Sequence, residues 1–154
     1  MGKKHLNRGI ISREAGDHRK AHQYAIPNPS SMHDWSQGGN NAHIHLSIRF
    51  LQHDHECFSD WGKADMKAFW YFQSKLHKFT WQQAYDTSRK TDKSGLGYTK
   101  ISRNNYPDSE FKKSLGDEVE LFELRVDHTK RVHGFRIRSI FYLCWLDKGH
   151  KICA

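Results

Sequence analysis

Residues 119–153 read VELFELRVDHTKRVHGFRIRSIFYLCWLDKGHKIC, and this stretch decides the fold. Residues 140–146 are apolar throughout, which is typical of a strand buried on both faces of a sheet. The segments before them alternate between apolar and charged side chains, as strands with one buried face do. The stretch therefore predicts an antiparallel meander of three or four strands, with an apolar centre and a face rich in Arg and His that suits phosphate.

The alternation assigns side chains to the two faces of this meander. Phe122 and Leu124 are predicted to point into the core, and Glu123 to point to solvent. Residues 138–139 must turn tightly, although neither favours the positive φ that a two-residue turn wants, so a departure from ideal hairpin geometry is expected. Residues 151–153 are expected to add a short edge strand.

The segments before the meander predict one strand and two helices. Residues 43–52 alternate as a strand, and residues 63–78 carry a mostly aromatic stripe at helical spacing that is expected to face the core. Thr80 and Gln83 form the capping-box pattern that begins a second helix. A long basic loop follows at residues 86–108. The fold class predicted is α+β: one N-terminal strand, two helices, then an antiparallel meander of three to four strands.

Length and composition set the domain organisation and the class of partner. The chain has 154 residues, so we expect one domain at residues 41–154, preceded by a basic, flexible tail at residues 1–40. Lys and Arg outnumber Asp and Glu by 25 to 17, a formal net charge of +8 that favours polyanions. The sequence shows no apolar run of about 18 residues and no secretory signal, so no membrane partner is expected. Three cysteines without a C-x-x-C pair indicate free thiols in the cytoplasm.

The order of elements resembles the RelE/ParE-type toxin superfamily, mainly through residues 120–153. In that superfamily a basic strand leads through a tight turn into an apolar strand ending in an acidic turn, as in the segment from Arg131 to Asp147. The resemblance implies a toxin of a toxin–antitoxin system, a metal-independent endoribonuclease acting on messenger RNA, usually at the ribosome. It also implies an acidic antitoxin-like protein partner. The other branch of the superfamily inhibits gyrase and cuts nothing.

Cleavage of RNA needs a base for the 2′-hydroxyl, cations for the phosphorane and an acid for the 5′-oxygen. The catalytic candidates are three groups that can move protons and one that can stabilise phosphate: His133, His150, Glu123 and Arg136. Guanidinium and ammonium groups bind phosphate oxygens. The nucleic-acid-binding candidates lie on the strands and in the basic loop: Arg125, Arg131, Arg138, Lys93, Lys100 and Arg103.

Two other interpretations stay open. The same cationic sheet could bind nucleic acid or an acidic host protein without catalysis, as a ParE-like inhibitor or a phage/host interaction protein does. His43, His45 and residues 53–57 have residue types that bind zinc, but their spacing matches no established signature. We therefore expect no metal and no cofactor.

Overall fold

The computed structural model describes residues 39–89 and 91–153, and within them it is an α+β structure with one five-stranded mixed sheet. The strands are β1 (His45–Ser47), β2 (Thr99–Lys100), β3 (Leu121–Arg125), β4 (Arg131–Ile137) and β5 (Ile140–Asp147). The helices are α1 (Lys63–Leu76), α2 (Trp81–Asp86) and α3 (Glu110–Ser114), with 3-10 turns at Phe58–Asp60 and Arg103–Asn105. The predicted α+β class is confirmed. The tail predicted at residues 1–40 lies outside the described residues except for Gly39 and Asn40.

The apolar segment of the opening stretch is the interior strand β5. The sheet order is β1-β5-β4-β3-β2, so β5 has a neighbour on each side. It pairs in parallel with β1, with Leu46 opposite Phe141, and antiparallel with β4. Strand β1 is shorter than the predicted residues 43–52. The side chains of β5 pack into an apolar cluster on each face of the sheet, which explains why the sequence of this strand is apolar throughout.

The ladder between β4 and β5 contains one irregularity, next to Gly134. His133 pairs with Trp145 and Gly134 pairs with Leu143, so Cys144 is an extra residue in β5. Such a bulge changes which side chains face each layer. Here Cys144 and Trp145, adjacent in sequence, both pack on the same side of the sheet.

The turn between β4 and β5 is a two-residue hairpin loop, since Ile137 pairs with Ile140, and Arg138 supplies the positive φ that such a turn wants; the expected departure from hairpin geometry is therefore not found. Arg138 takes a φ of 55°, the left-handed region that residues other than glycine rarely adopt. The carbonyl of Ser139 accepts hydrogen bonds from the indole N–H of Trp81 at 3.0 Å and from the N–H of His45 at 3.1 Å. The turn is therefore tied to both α2 and β1.

Helices α1 and α2 cover one face of the sheet and form the main core. Phe72, Leu76 and Trp81 are buried there against β3, β4 and β5. Helix α2 begins at the predicted capping box: the Thr80 hydroxyl accepts from the Gln83 N–H at 3.2 Å, and the Gln83 side-chain carbonyl accepts from the Thr80 N–H at 2.9 Å. The capping-box prediction is confirmed.

The aromatic stripe predicted for α1 faces the core only in part. Trp70 is 54% exposed and Met66 is 36% exposed, whereas Phe72 is buried. The stripe that packs inward runs through Asp65, Phe69, Phe72 and Leu76, at spacings of four, three and four. Trp70 lies one residue off this stripe, about 100° around the helix, and therefore points away from the sheet.

The second face of the sheet is also covered, so the prediction of a solvent-facing cationic surface is wrong. Residues 101–119 lie over this face and bring Tyr106 and Phe111 into a second apolar cluster. As a result, His133 is 0% exposed and Glu123 is 6% exposed. Alternation along a strand identifies two faces, but it does not say what packs on each of them.

Two further segments differ from expectation. Residues 86–108, expected as a long loop, include β2, which pairs with β3. The expected edge strand at residues 151–153 is absent from the described structure. The N–H groups of Lys151 and Ile152 instead donate to the carboxylate of Asp147, at 2.8 and 2.9 Å, which folds this segment back on the end of β5. No helix in the described part of the chain is long and apolar enough to span a membrane.

Asp65, in the first turn of α1, connects three parts of the structure. Its carboxylate accepts a hydrogen bond from the Gly62 N–H at 2.8 Å. It also lies 2.9 Å from the ammonium of Lys148 and 3.3 Å from that of Lys130. These contacts, with Lys148 the largest, lower the pKa of Asp65 to about 2.

We expect Asp65→Asn to lower the melting temperature near neutral pH. Because the folded-state pKa lies below that of the unfolded chain, this carboxylate stabilises the fold above about pH 4 and loses its effect as the pH falls to about 2. The difference from wild type should therefore shrink over that range in thermal melts followed by circular dichroism. Asp117→Asn, at a fully exposed side chain, is the control. A difference that stays constant with pH would contradict the charge-based explanation.

Candidate functional site

The structure separates the four catalytic candidates. His133 and Glu123 face the second, covered layer of the sheet, and His150 reaches the same place from the turn after β5. Arg136 lies on the other face, where its guanidinium carbon is 4.5 Å from the ring centre of Trp81. The reason is the two-residue period of a strand: positions 133 and 136 of β4 differ by an odd number.

His133 lies at the centre of a buried polar cluster on the second layer. Its Nδ1 is 3.0 Å from the hydroxyl of Tyr106. Its Nε2 is 3.4 Å from Asp147 Oδ2 and 3.8 Å from Glu123 Oε2, yet it makes no hydrogen bond of good geometry with a described residue. Glu123, His133 and Asp147 come from β3, β4 and β5 respectively, so the sheet itself brings these three side chains together.

The segment after β5 completes this cluster. The backbone bonds from residues 151 and 152 to Asp147 turn the chain back, and His150 takes a φ of 55° in the process. His150 Nε2 then lies 3.3 Å from Glu123 Oε2, and the thiol of Cys153 donates to the same oxygen at 3.2 Å. Arg131 Nε is 3.6 Å from the other carboxylate oxygen of Glu123.

The surroundings shift the pKa of several cluster groups. Burial acts to raise the pKa of Asp147, but the contact with His133 and two backbone N–H groups outweigh it, so the pKa lies below its usual value. Burial, with the hydrogen bond to Glu123, raises the pKa of Cys153 to about 12. Burial also raises the pKa of Tyr106. The carboxylate of Asp147 is therefore charged and the thiol of Cys153 protonated at neutral pH.

This cluster is poorly placed to act on RNA directly. General acid–base catalysis requires the side chain to come within hydrogen-bond distance of the reacting group. His133 is fully enclosed, and the Glu123 side chain is 8% exposed. His150 is more accessible, at 39%. A phosphodiester therefore meets only the outer edge of the cluster.

A second arrangement, the cationic cleft, lies on the surface between α1 and the loop that joins β3 to β4. It has a volume of about 530 Å³. Its lining combines cations, an exposed tyrosine and the start of the β3–β4 loop: Tyr71, Phe72, Lys75, Lys93, Gly95, Arg125, Val126, Asp127, His128 and Arg131. Three of the predicted nucleic-acid-binding residues meet here, namely Lys93, Arg125 and Arg131.

Neutral acceptors hold two of the cations in place. Lys75 Nζ donates to the carbonyl of Gly95 at 2.9 Å, and Arg125 Nη1 donates to the carbonyl of Asp92 at 3.4 Å. Burial, followed by the nearby guanidinium of Arg125, lowers the pKa of Lys75. Gly97, at a φ of 61°, lets the chain pass close to Arg125, since a Cβ there would lie 2.9 Å from a guanidinium nitrogen. The backbone of residues 92–97 thus holds the side chains of Lys75 and Arg125 close together in the cleft.

The other three predicted binding residues lie elsewhere. Lys100 forms an ion pair with Glu120. Arg103 donates to the carbonyls of residues 115, 116 and 119, which fixes the segment over the second face. Arg138 occupies the β4–β5 turn. Arg103 therefore stabilises the fold. Lys100 and Arg138 lie outside the cleft.

Sequence reasoning missed Lys75 and Tyr71, because nothing in an amphipathic helix marks which polar residue will border a distant loop. It also assigned no site to Cys153 or Asp147. A signal was present there: Asp147, His150 and Cys153 recur every three residues directly after an apolar strand. This spacing is compatible with a turn that places the three side chains close together at one end of the sheet.

The comparisons with known proteins give no relative for this chain. No protein-family model, no curated protein and no solved structure matches it. The functional argument therefore depends on the chain's own residues.

Proposed function

We propose that the protein binds RNA through the cationic cleft. The observation that carries the proposal is the convergence of Lys75, Lys93, Arg125 and Arg131 on one concave surface. Lys and Arg groups bind phosphate oxygens through charge-assisted hydrogen bonds. The chain's net charge of +8 would add long-range attraction for a polyanion.

An aromatic side chain beside the cations favours a nucleic acid over a simple anion. Tyr71 lines the cleft and is 58% exposed, and the ring of Trp70 packs edge-on against it at 5.0 Å between ring centres. Exposed aromatic rings next to basic groups stack on unpaired bases. The cleft volume also lies within the range of roughly 300–1,000 Å³ common for ligand sites. A single-stranded segment would place a phosphate at the cations and a base on Tyr71.

We propose further that the protein is a toxin-type, metal-independent endoribonuclease acting on messenger RNA. In this reaction a base takes the proton of the 2′-hydroxyl, the 2′-oxygen bonds to phosphorus, and the 5′-oxygen leaves with a proton from an acid. His128, exposed at the cleft, is the acid–base group, and Lys75, with its lowered pKa, is the second proton-transfer group. Arg125 stabilises the phosphorane.

A toxin of this kind needs a neutralising partner. The proposed partner is an acidic antitoxin-like protein that covers the cationic cleft, and the proposed substrate context is messenger RNA on the ribosome. The resemblance in order of elements, strand then helices then meander, is the support for this part of the proposal.

Binding without catalysis is the second candidate function. The burial of His133 and Glu123 favours it, because two of the four catalytic candidates stand away from the surface. In that case the protein would act by binding RNA, or a complex that contains RNA, without cleaving it.

Cleavage and binding of the same RNA distinguish these functions. We expect His128→Ala to slow cleavage of a messenger RNA by about 100-fold or more, the usual range for loss of a general acid or base, while RNA affinity changes little. The assay uses full-length protein, with and without ribosomes, in the presence of a chelator. His55→Ala removes another exposed histidine outside the cleft and should leave the rate unchanged.

The alternatives give different results. If wild-type protein binds RNA but never cleaves it, with or without ribosomes, the enzymatic part fails and binding remains. If wild-type protein does not bind RNA, both candidates fail.

A further inference from the structure

Three metal-ligating groups meet in the buried cluster of the second layer. Glu123, His133 and Cys153 each offer one ligand atom, and these atoms all lie within 4.8 Å of one another. In a tetrahedral zinc site, bond lengths of about 2.0–2.3 Å place neighbouring ligand atoms roughly 3.3–3.8 Å apart. The distances from Glu123 Oε2 to Cys153 Sγ and to His133 Nε2 are 3.2 and 3.8 Å. Two of the three separations thus already approximate those of a bound ion.

The unused nitrogen of His133 is a second, independent observation. Its Nε2 is fully buried and lacks a hydrogen-bond partner within the described residues, although it faces two carboxylates. A buried polar atom without a partner costs free energy of roughly 1–3 kcal/mol. A cation between Nε2 and Glu123 would satisfy that nitrogen and balance the negative charge.

The environment of His133 matches that of a metal-binding histidine. Its Nδ1 lies 3.0 Å from the hydroxyl of Tyr106. Histidines that bind a metal through one nitrogen usually hydrogen-bond through the other, which fixes the ring and its tautomer. If Nδ1–H donates to Tyr106, Nε2 carries the free lone pair, 3.4 Å from Asp147 Oδ2 and 3.8 Å from Glu123 Oε2.

We propose that Glu123, His133 and Cys153 bind one divalent transition-metal ion of the zinc type. One sulfur, one imidazole nitrogen and one carboxylate oxygen form a donor set typical of zinc. The thiol of Cys153 loses its proton to solvent as its sulfur binds the ion. His150, with Nε2 3.3 Å from Glu123 Oε2, is the nearest candidate for a fourth ligand.

The ion would fix the segment after β5 to the sheet. Glu123 belongs to β3 and His133 to β4, whereas Cys153 follows the turn after β5. A metal bound to all three would link the segment after β5 to two strands that lie well before it in the sequence. This site adjoins the cationic cleft through Arg131, which lines the cleft and lies 3.6 Å from Glu123, but its existence does not depend on RNA binding.

Cobalt(II) spectroscopy tests the site directly. Full-length, reduced protein freed of metal is titrated with Co²⁺, and the thiolate-to-cobalt charge-transfer band is followed, together with its loss on addition of Zn²⁺. We expect one equivalent to produce the band. Cys153→Ser should abolish it, and Tyr106→Phe should weaken metal affinity by about 10-fold. Cys57→Ser, at a buried cysteine outside the cluster, is the matched control and should keep the band.

The titration of the wild-type protein tests the metal site even if a variant fails to fold. Absence of a charge-transfer band in folded wild-type protein overturns the proposal, as does a band that survives Cys153→Ser. Metal uptake without thiolate character would be histidine binding elsewhere in this histidine-rich chain, and it also overturns the proposal. None of these results depends on RNA, so failure of the metal site and failure of the proposed function are distinguishable.

Discussion

Replacing Gly134 by Ala should destabilise the folded protein by about 3 kcal/mol. A Cβ at this position would clash with the carbonyl oxygen of Tyr142 and would lie 2.9 Å from the ring of Phe141. Both neighbours belong to the interior strand β5, and a backbone carbonyl in a ladder cannot move as a flexible side chain can. The strain therefore has to be taken up by the central pair of strands.

Chemical denaturation of the two alanine variants measures this effect. The control is Gly149→Ala, where the nearest atom to a new Cβ is Lys151 Cε at 3.3 Å, at the end of a flexible side chain. We expect the control to remain within about 0.5 kcal/mol of wild type. Equal unfolding midpoints for the two variants would show that β4 and β5 do not approach as closely as described.

The parts of the fold that the sequence predicted are those set by short-range patterns. Residues 140–146 are apolar because β5 has neighbours on both edges and layers on both faces. The capping box at Thr80 and Gln83 is a contact over three residues, so the sequence displays it directly.

The covering of the second face was not predictable from strand alternation. Charged residues at every second position of β3 and β4 indicate an exposed face unless another segment packs there. Residues 101–119 do so, and Arg103 holds them in place through backbone carbonyls. A segment that is largely polar in sequence therefore contributes to the second apolar cluster and buries His133.

The two candidate sites also depend on long-range contacts. Lys75 and His128 are far apart in sequence and border one cleft only because α1 packs near the β3–β4 loop. Cys153 reaches Glu123 through a turn held by the carboxylate of Asp147. Composition suggested a basic binding surface, but only the packing shows which cations share it.

Removing two cations from the cationic cleft should cause a large loss of RNA affinity. The double variant Lys93→Gln and Arg125→Gln removes two of its cations. Each charge-assisted contact to phosphate contributes roughly 1.5 kcal/mol, so affinity for a single-stranded RNA should fall by about 100-fold at low salt. The slope of affinity against salt concentration should fall by about two, one for each lost phosphate contact.

Equilibrium binding of a fluorescent single-stranded RNA to matched double variants is the most direct measurement. The control is Arg49→Gln with Lys113→Gln, which removes the same charge from two exposed positions outside the cleft. The cleft variant should bind about 100-fold more weakly than wild type, and the control should bind within a few-fold of it. Equal affinities for the two double variants would contradict RNA binding at the cleft.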